Sequence, residues 1–341
     1  EIHYNYRIHI SCANKGDMNM NKNNYIETEY NKPFIRQRAD PYVYRHSDGS
    51  YYFTASVPEY DRIVLRRSNT LNGLRESDEV TIWKKHDKGI MSVHIWAPEI
   101  HYLDNKWFIY YAGGDIDDIW AIRPYVLVCE GQNPLNDPWK ELGMVKATDA
   151  FSFNDFSLDM TVFENKGKRY CVWAEKVNIG KKISNLYIAE MKSPTELATA
   201  QVLLSSPDYD WERVDFWVNE GPAVVHHDGK IYLTYSASAT GECYCMGMLS
   251  IEETEDLLNP RVWKKERYPV LKTDAERGIY GPGHNSFVKS EDGKEDIMIY
   301  HARPYDEIIG DPLYDPNRHA YRMRIKWNEQ GRPVFDYCNN Y

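Results

Sequence analysis

A strand-turn-strand unit recurs five times along the 341-residue chain, and such a repeat restricts the fold more than any single motif does. The clearest copy opens at Val218-Asn219-Glu220-Gly221-Pro222 and continues through Asp228-Gly229 to alternating Ile231, Leu233 and Tyr235. An apolar run, a tight turn and a returning alternation make a β-hairpin, here with a carboxylate at its entrance. Four relatives follow the same plan: RADPYVYRHSDGSYYFTAS from Arg38, IWAPEIHYLDNKWFIYYAGG from Ile95, SLDMTVFENKGKRYCVWAE from Ser157 and YGPGHNSFVKSEDGKEDIMIYHAR from Tyr280. With Asp40, Pro98, Asp159, Glu220 and Pro282 as marks, the spacings are 58, 61, 61 and 62 residues. A unit of that length suits four strands with their loops, which predicts an all-β chain folded as a five-bladed β-propeller around a central channel.

Composition narrows the class of partner. The net charge is −10 and the pI about 5.6, which argues against nucleic acid, because phosphate backbones demand a basic face. No run approaches the ~18 apolar residues of a membrane span. The 27 Tyr and 10 Trp supply flat apolar bodies with polar tips, suited to sugar faces and to strand surfaces alike. Cys12, Cys129, Cys171, Cys243, Cys245 and Cys338 do not form a disulfide framework in a chain this long. They read as free thiols, with Cys243 and Cys245 alternating onto one face of a strand.

Residues 1–32 lie outside the repeat and read as an N-terminal arm, leaving 33–341 as the propeller. The first eleven residues lack the apolar core of a signal peptide, so a processed export product and a cytoplasmic chain are both consistent with them. The acidic run IEETEDLL from Ile251 reads as a short solvated helix, and alternating Tyr321, Met323, Ile325 and Trp327 as a late strand. A ring must close, and the segment from Tyr30 to Phe34 together with that late strand is expected to close it. Oligomeric state is not legible.

Hairpin entrances in a blade repeat face the channel mouth, so Asp40, Asp159 and Glu220 should converge there from three repeats. Clustered carboxylates repel and raise one another's pKa, a poor structural device. They suit glycoside hydrolysis, which needs one carboxyl kept protonated and another ionised. Trp96, at the second entrance, is either a sugar platform or a core ring between blades. His284, flanked by Gly283 in the fifth, is either structural or a metal ligand. Arg303, ending that repeat's returning strand, would pair with Glu220 or hold sugar hydroxyls, or else form an ion pair with Asp306 or Asp311.

RADPYVY, SLDMTVF, NEGPAVV and GPGHNSF, in this order and spacing, resemble the motifs of glycoside hydrolase family 43, five-bladed propeller enzymes that invert at the anomeric carbon. The likeness covers residues 33 to 341. SSPDYDWE, NEGPAVVHHDGKIYLTYSASAT and YHARPYDEIIGDPLYDPNRHA are similar to the branch containing exo-acting α-L-arabinofuranosidases that work on α-1,5-arabinan. The resemblance implies an oligo- or polysaccharide substrate, a location in the secreted, periplasmic or cell-surface space, and no organic cofactor. It implies Asp40 as general base, Glu220 as general acid and Asp159 as the residue that orients Glu220 and keeps its pKa high. Arg303 would contact sugar in the innermost subsite, Trp96 would serve as a platform, and His284 would hold calcium or a water network at the axis. If inversion holds, the Asp40 and Glu220 carboxyls should stand roughly 6.5–9.5 Å apart, with room for a water. A β-xylosidase of the same family and a non-catalytic carbohydrate-binding propeller are the alternatives. The convergent carboxylates separate the second from an enzyme.

Overall fold

The computed structural model describes residues 32–177 and 182–337. The expected arm, apart from Lys32, lies outside the described residues, as do Cys12 and Cys338. The fold is all-β: among the described residues, helical structure is confined to four short 3-10 turns.

The first repeat gives β1 (Ala39–Arg45), β2 (Tyr51–Ser56), β3 (Arg62–Ser68) and β4 (Val80–Lys84), a four-stranded sheet in that order. The second gives β5 (Ile90–Leu103), β6 (Lys106–Asp115), β7 (Asp118–Cys129) and β8 (Trp139–Met144), again in chain order. The third supplies β9 (Ser157–Asn165), β10 (Lys168–Val177) and β11 (Ile183–Ser193), with β12 (Glu196–Leu197) and β13 (Val202–Ser205) both paired to β11. The fourth runs β14 (Trp217–His227), β15 (Lys230–Ala237), β16 (Cys245–Glu252) and β17 (Lys264–Lys265). A short parallel pairing of Ile183 and Ser184 with Trp217 and Val218 joins these last two groups into one nine-stranded sheet. The fifth is β18 (Tyr280–Lys289), β19 (Asp296–Arg303), β20 (His319–Trp327) and β21 (Pro333–Val334).

Each repeat begins with an antiparallel hairpin whose turn is written in the sequence. Asp104-Asn105, Lys166-Gly167 and Asp228-Gly229 each place two consecutive residues at positive φ, between 47° and 76°. That is the mirror-image two-residue turn whose twist matches the flanking strands. The acidic run after Ile251 is a series of turns and not a helix. Eight residues are too few to hold a helix alone, and Glu253 is committed to His226 at 2.8 Å. Cys243 lies in the turn ahead of β16, so it does not share a strand face with Cys245; both are free, as are Cys129 and Cys171.

Five apolar clusters fill the spaces between neighbouring hairpins, in sequence. One joins Tyr52 and Ile63 to Ile100 and Trp107; the next joins Phe108 and Val126 to Val162 and Trp173. The third packs Val172 and Ile188 on Leu233 and Leu249, and the fourth packs Tyr232 and Met248 on Met298 and Tyr321. The fifth returns to the start, with Ile297 and Ile299 against Val43 and Phe53. The cycle is closed. Phe34 and Ile35 add to this seam, since Ile35 bridges Ala320 of β20 and the Phe34 amide donates to the Ala320 carbonyl at 2.6 Å.

Candidate active site

The same irregularity interrupts all five leading hairpins. Ala39 faces Ser56, Trp96 faces Ala112, Leu158 faces Ala174, Glu220 faces Ser236 and Gly283 faces His301. Three residues further along the leading strand, the partner has advanced only two, leaving two residues opposite one. This is a β-bulge, which bends the strand and re-aims a side chain. The residue after each pair, namely Asp40, Ala97, Asp159, Gly221 and His284, has φ between 44° and 56°. For the four that are not glycine, such a backbone costs about 1–3 kcal/mol each, a strain that clusters at functional sites.

The bulges therefore set the register, and it differs from the sequence marks. Asp40 and Asp159 are equivalent, as expected, but their counterparts are Gly221 and His284; Glu220 stands one residue earlier, level with Ala39 and Leu158. The three bulge residues that carry a polar side chain meet. His284 Nδ1 is 3.2 Å from Asp40 Oδ1 and 3.8 Å from Asp159 Oδ2. The Gly221 amide donates to Asp159 Oδ2 at 3.0 Å, which ties Glu220's own strand to the group.

Asp40 is buried and heavily partnered. Ser56 Oγ donates to its Oδ2 at 2.6 Å, Arg318 lies 3.5 Å from Oδ1, and its amide donates to His301 Nδ1 at 3.1 Å. Burial alone would raise its pKa, yet the charges of His284 and Arg318 outweigh that and hold it well below the ordinary value. Burial pushes the His301 ring down to about 3, so it is neutral and its Nδ1 is available to accept.

Asp159 and Glu220 are driven the other way. Burial raises Asp159, and the Glu220 and Asp40 charges add to that against the opposing pull of His284. Glu220 is half-buried and open to solvent where Asp40 and Asp159 are not. Burial raises it too, opposed by the Tyr244 hydroxyl, which donates to Oε1 at 2.8 Å, and by the charges of His284 and Lys176. One carboxylate eager to ionise faces two that resist ionisation, the separation of roles that acid–base chemistry at a single bond requires. His284 is pulled down by burial but raised overall by Asp159, Asp40, Glu220 and Glu99, which favours its charged form beside the Arg318 guanidinium. Glu99 is itself buried, with His101 Nε2 at 3.0 Å.

The remaining expected residues fall differently. Trp96 is packed, stacked on His94 at 4.5 Å and set edge-on to Tyr60 at 5.7 Å, so it belongs to the core between repeats; the exposed rings beside it are Trp120 and Tyr314. Arg303 is buried and, among the described residues, pairs with none of Glu220, Asp306 and Asp311. Its guanidinium donates to the Thr240 and Pro312 carbonyls, both at 2.6 Å, and Nε lies 3.5 Å from Asp315. A structural clamp of loops thus replaces the expected pairing, and the arginine that reaches the carboxyl cluster is Arg318. No group of three or more His, Cys, Asp or Glu among the described residues is arranged to hold a metal, and His284 turns Nδ1 to carboxylates, so its Nε2 is the ring atom that would face a calcium ion or its water. His301, Arg318 and Tyr244 also belong to the site; the strings YHAR and PNRHA carry the first two, but nothing in their residue types marks them.

Residues 30–333 match the family Glycosyl hydrolases family 43. An extracellular exo-α-(1→5)-L-arabinofuranosidase of Streptomyces avermitilis is 50% identical over 306 residues, covering 90% of this chain and 63% of the relative. A protein of the same description from Streptomyces chartreusis is 46% identical, over 83% of this chain and 85% of its own. The chain thus spans less than two thirds of the length of the first of these. The crystal structure of an α-L-arabinofuranosidase from Lactobacillus brevis superposes with a TM-score of 0.84 at 50% identity, over 89% of this chain and 95% of the other.

Proposed function

The chain belongs to glycosyl hydrolases family 43, and we propose that it is an inverting exo-acting α-L-arabinofuranosidase built on a five-bladed β-propeller. Its substrates would be α-1,5-arabinan and arabinose-substituted plant polysaccharides, met outside the cell. The closed cycle of five interfaces supports the propeller, with residues 33–341 as the catalytic domain and 1–32 as an arm preceding it. The names of the Streptomyces relatives support the substrate and the extracellular location. No helix among the described residues is long and apolar enough to cross a membrane.

The observation that carries the reading is the opposed ionisation of Asp40 and Glu220 within one cluster. Asp40, ionised, takes a proton from a water on one face of the sugar; the water oxygen bonds to the anomeric carbon as the glycosidic C–O bond breaks. Glu220, protonated, gives its proton to the departing oxygen. Burial and the Asp40 charge keep Glu220 protonated until then, and Asp159 orients it by anchoring its strand through the Gly221 amide. Solvent afterwards returns a proton to Glu220 and removes one from Asp40. The carboxyl separation this demands is roughly 6.5–9.5 Å. Calcium at the axis would be reached from His284, directly or through water, and no step depends on it.

Glu220→Ala tests the assignment. Loss of a general acid costs about 10²–10⁴-fold on linkages whose leaving oxygen needs a proton. Hydrolysis of α-1,5-arabinobiose should therefore collapse, while 4-nitrophenyl α-L-arabinofuranoside, whose phenolate leaves unaided, should be largely spared. Equal losses on both would refute the acid role. NMR of the first-formed sugar should show the inverted anomer, and faster release from xylosides would move the reading to a β-xylosidase.

A further inference from the structure

Tyr244 touches the proposed acid Glu220 and the imidazole of His301 beside the proposed base Asp40, and belongs to neither bulge. It enters from the turn before β16, is 1% exposed, and gives Glu220 the one hydrogen bond its carboxyl receives among the described residues, 2.8 Å to Oε1. Its ring stacks on His301 with centroids 5.5 Å apart and planes 13° from parallel, and His301 in turn accepts the Asp40 amide. On another side the ring presses on Gly283, where an added Cβ would meet Tyr244 Cε1 at 2.4 Å and Ser236 Oγ at 2.8 Å. The phenol cannot swing away. Its pKa is driven far up by burial and by the Glu220 and Asp159 charges, so it remains a donor throughout any working pH.

A carboxylic acid carries its proton on one oxygen only. An oxygen that accepts a hydrogen bond from a fixed donor is the carbonyl-like one, and the proton is left to the other. We infer that Tyr244 is the positioning residue of the proton donor: by occupying Glu220 Oε1 it confines the acidic proton to Oε2, the oxygen left free for the leaving group. The inference rests on the reading of Glu220 as general acid. Because the same ring braces His301 beside Asp40, one side chain also keeps donor and base in a fixed relation across three repeats.

Tyr244→Phe removes the hydroxyl and keeps the ring, so the stack and the contact at Gly283 survive. On α-1,5-arabinobiose kcat should fall about ten- to hundredfold, with KM nearly unchanged, because the loss concerns the transition state. On 4-nitrophenyl α-L-arabinofuranoside kcat should change by less than about threefold, since that leaving group needs little proton donation. The hydroxyl favours the ionised carboxyl, so its loss should also shift the alkaline limb of the arabinobiose profile to higher pH. In a Glu220→Gln background the Tyr244→Phe change should add no further discrimination between the two substrates. Equal losses on both substrates with the alkaline limb in place would overturn the inference and leave Tyr244 a packing residue. Glu220→Gln read alone separates the two failures. If it depresses both substrates alike, the acid assignment falls; if it discriminates and Tyr244→Phe does not, only the role of Tyr244 falls.

Discussion

A carboxyl buried beside an imidazolium and a guanidinium ionises more readily than one in water, while a carboxyl buried beside other carboxylates does so less readily; Asp40 and Glu220 are these two cases within one cluster. With Asp40 as base and Glu220 as acid, activity requires the first ionised and the second protonated. The acid limb of kcat/KM should therefore lie below the ordinary Asp value of 3.8, and the alkaline limb above the ordinary Glu value of 4.5. The limbs should also respond separately. Arg318→Gln removes a cation 3.5 Å from Asp40, which raises that carboxyl's pKa and should move the acid limb to higher pH with the alkaline limb in place. A profile that shifts at both ends, or only at the alkaline end, would contradict the assignment of Asp40. The sequence exposes Asp40, Asp159 and Glu220 because an acidic residue at a strand entrance is out of character there, the more so beside Pro41 for Asp40 and Gly221 for Glu220. His301, Arg318 and Tyr244 give no such signal, because a His or Tyr in an aromatic-rich strand and an Arg in a loop are ordinary in type. What distinguishes them is which way they point, and that follows from pairings over 24 to 278 residues that no local pattern encodes.

At the scale of the element, the bulge is the unit that converts a repeated hairpin into a site. In the fourth repeat its first residue is Gly221 at φ 53°, and a Cβ there would stand 3.1 Å from His284 Cγ. Gly221→Ala should thus cost about 1–2 kcal/mol for the left-handed backbone, with further loss from crowding. It should also lower kcat, because His284 would be pushed from between Asp40 and Asp159 while the Gly221 amide shifts on Asp159. Urea midpoints and kcat measured together check this, and an unchanged kcat would show that the close approach does not position the cluster. The hairpins themselves are readable, since Asp-Asn, Lys-Gly and Asp-Gly name their turns. The bulge is not. It adds one residue without altering composition, so marks placed on Pro98 and Pro282 recover the period but miss the true equivalents, Ala97 and His284, by one and two positions. For the same reason Glu220 looks equivalent to Asp159 in the sequence although the register sets it one residue ahead.

A ring of hairpins has one seam where late chain meets early chain, and here the seam runs through the site: Asp40 stands on β1, while His284 and His301 face it from β18 and β19. Ser286 stitches the two strands, receiving the Val43 amide at 3.3 Å and donating to the Pro41 carbonyl at 2.9 Å. Phe34, 2% exposed, lies in the apolar cluster behind them, and its amide pairs with β20. Beginning the chain at Lys32 should leave stability unchanged if closure starts at Phe34. Phe34→Ala in the full chain should cost about 3–5 kcal/mol, the usual penalty for emptying a buried aromatic site. The consequence for activity follows from where the seam lies. Opening it separates the base from its imidazole partners, so the urea midpoint for activity should fall together with the midpoint for near-ultraviolet circular dichroism. If Phe34→Ala lowers the spectroscopic midpoint while activity persists to higher urea, the cluster is held together without the seam, and closure of the ring is not what brings Asp40 to His284.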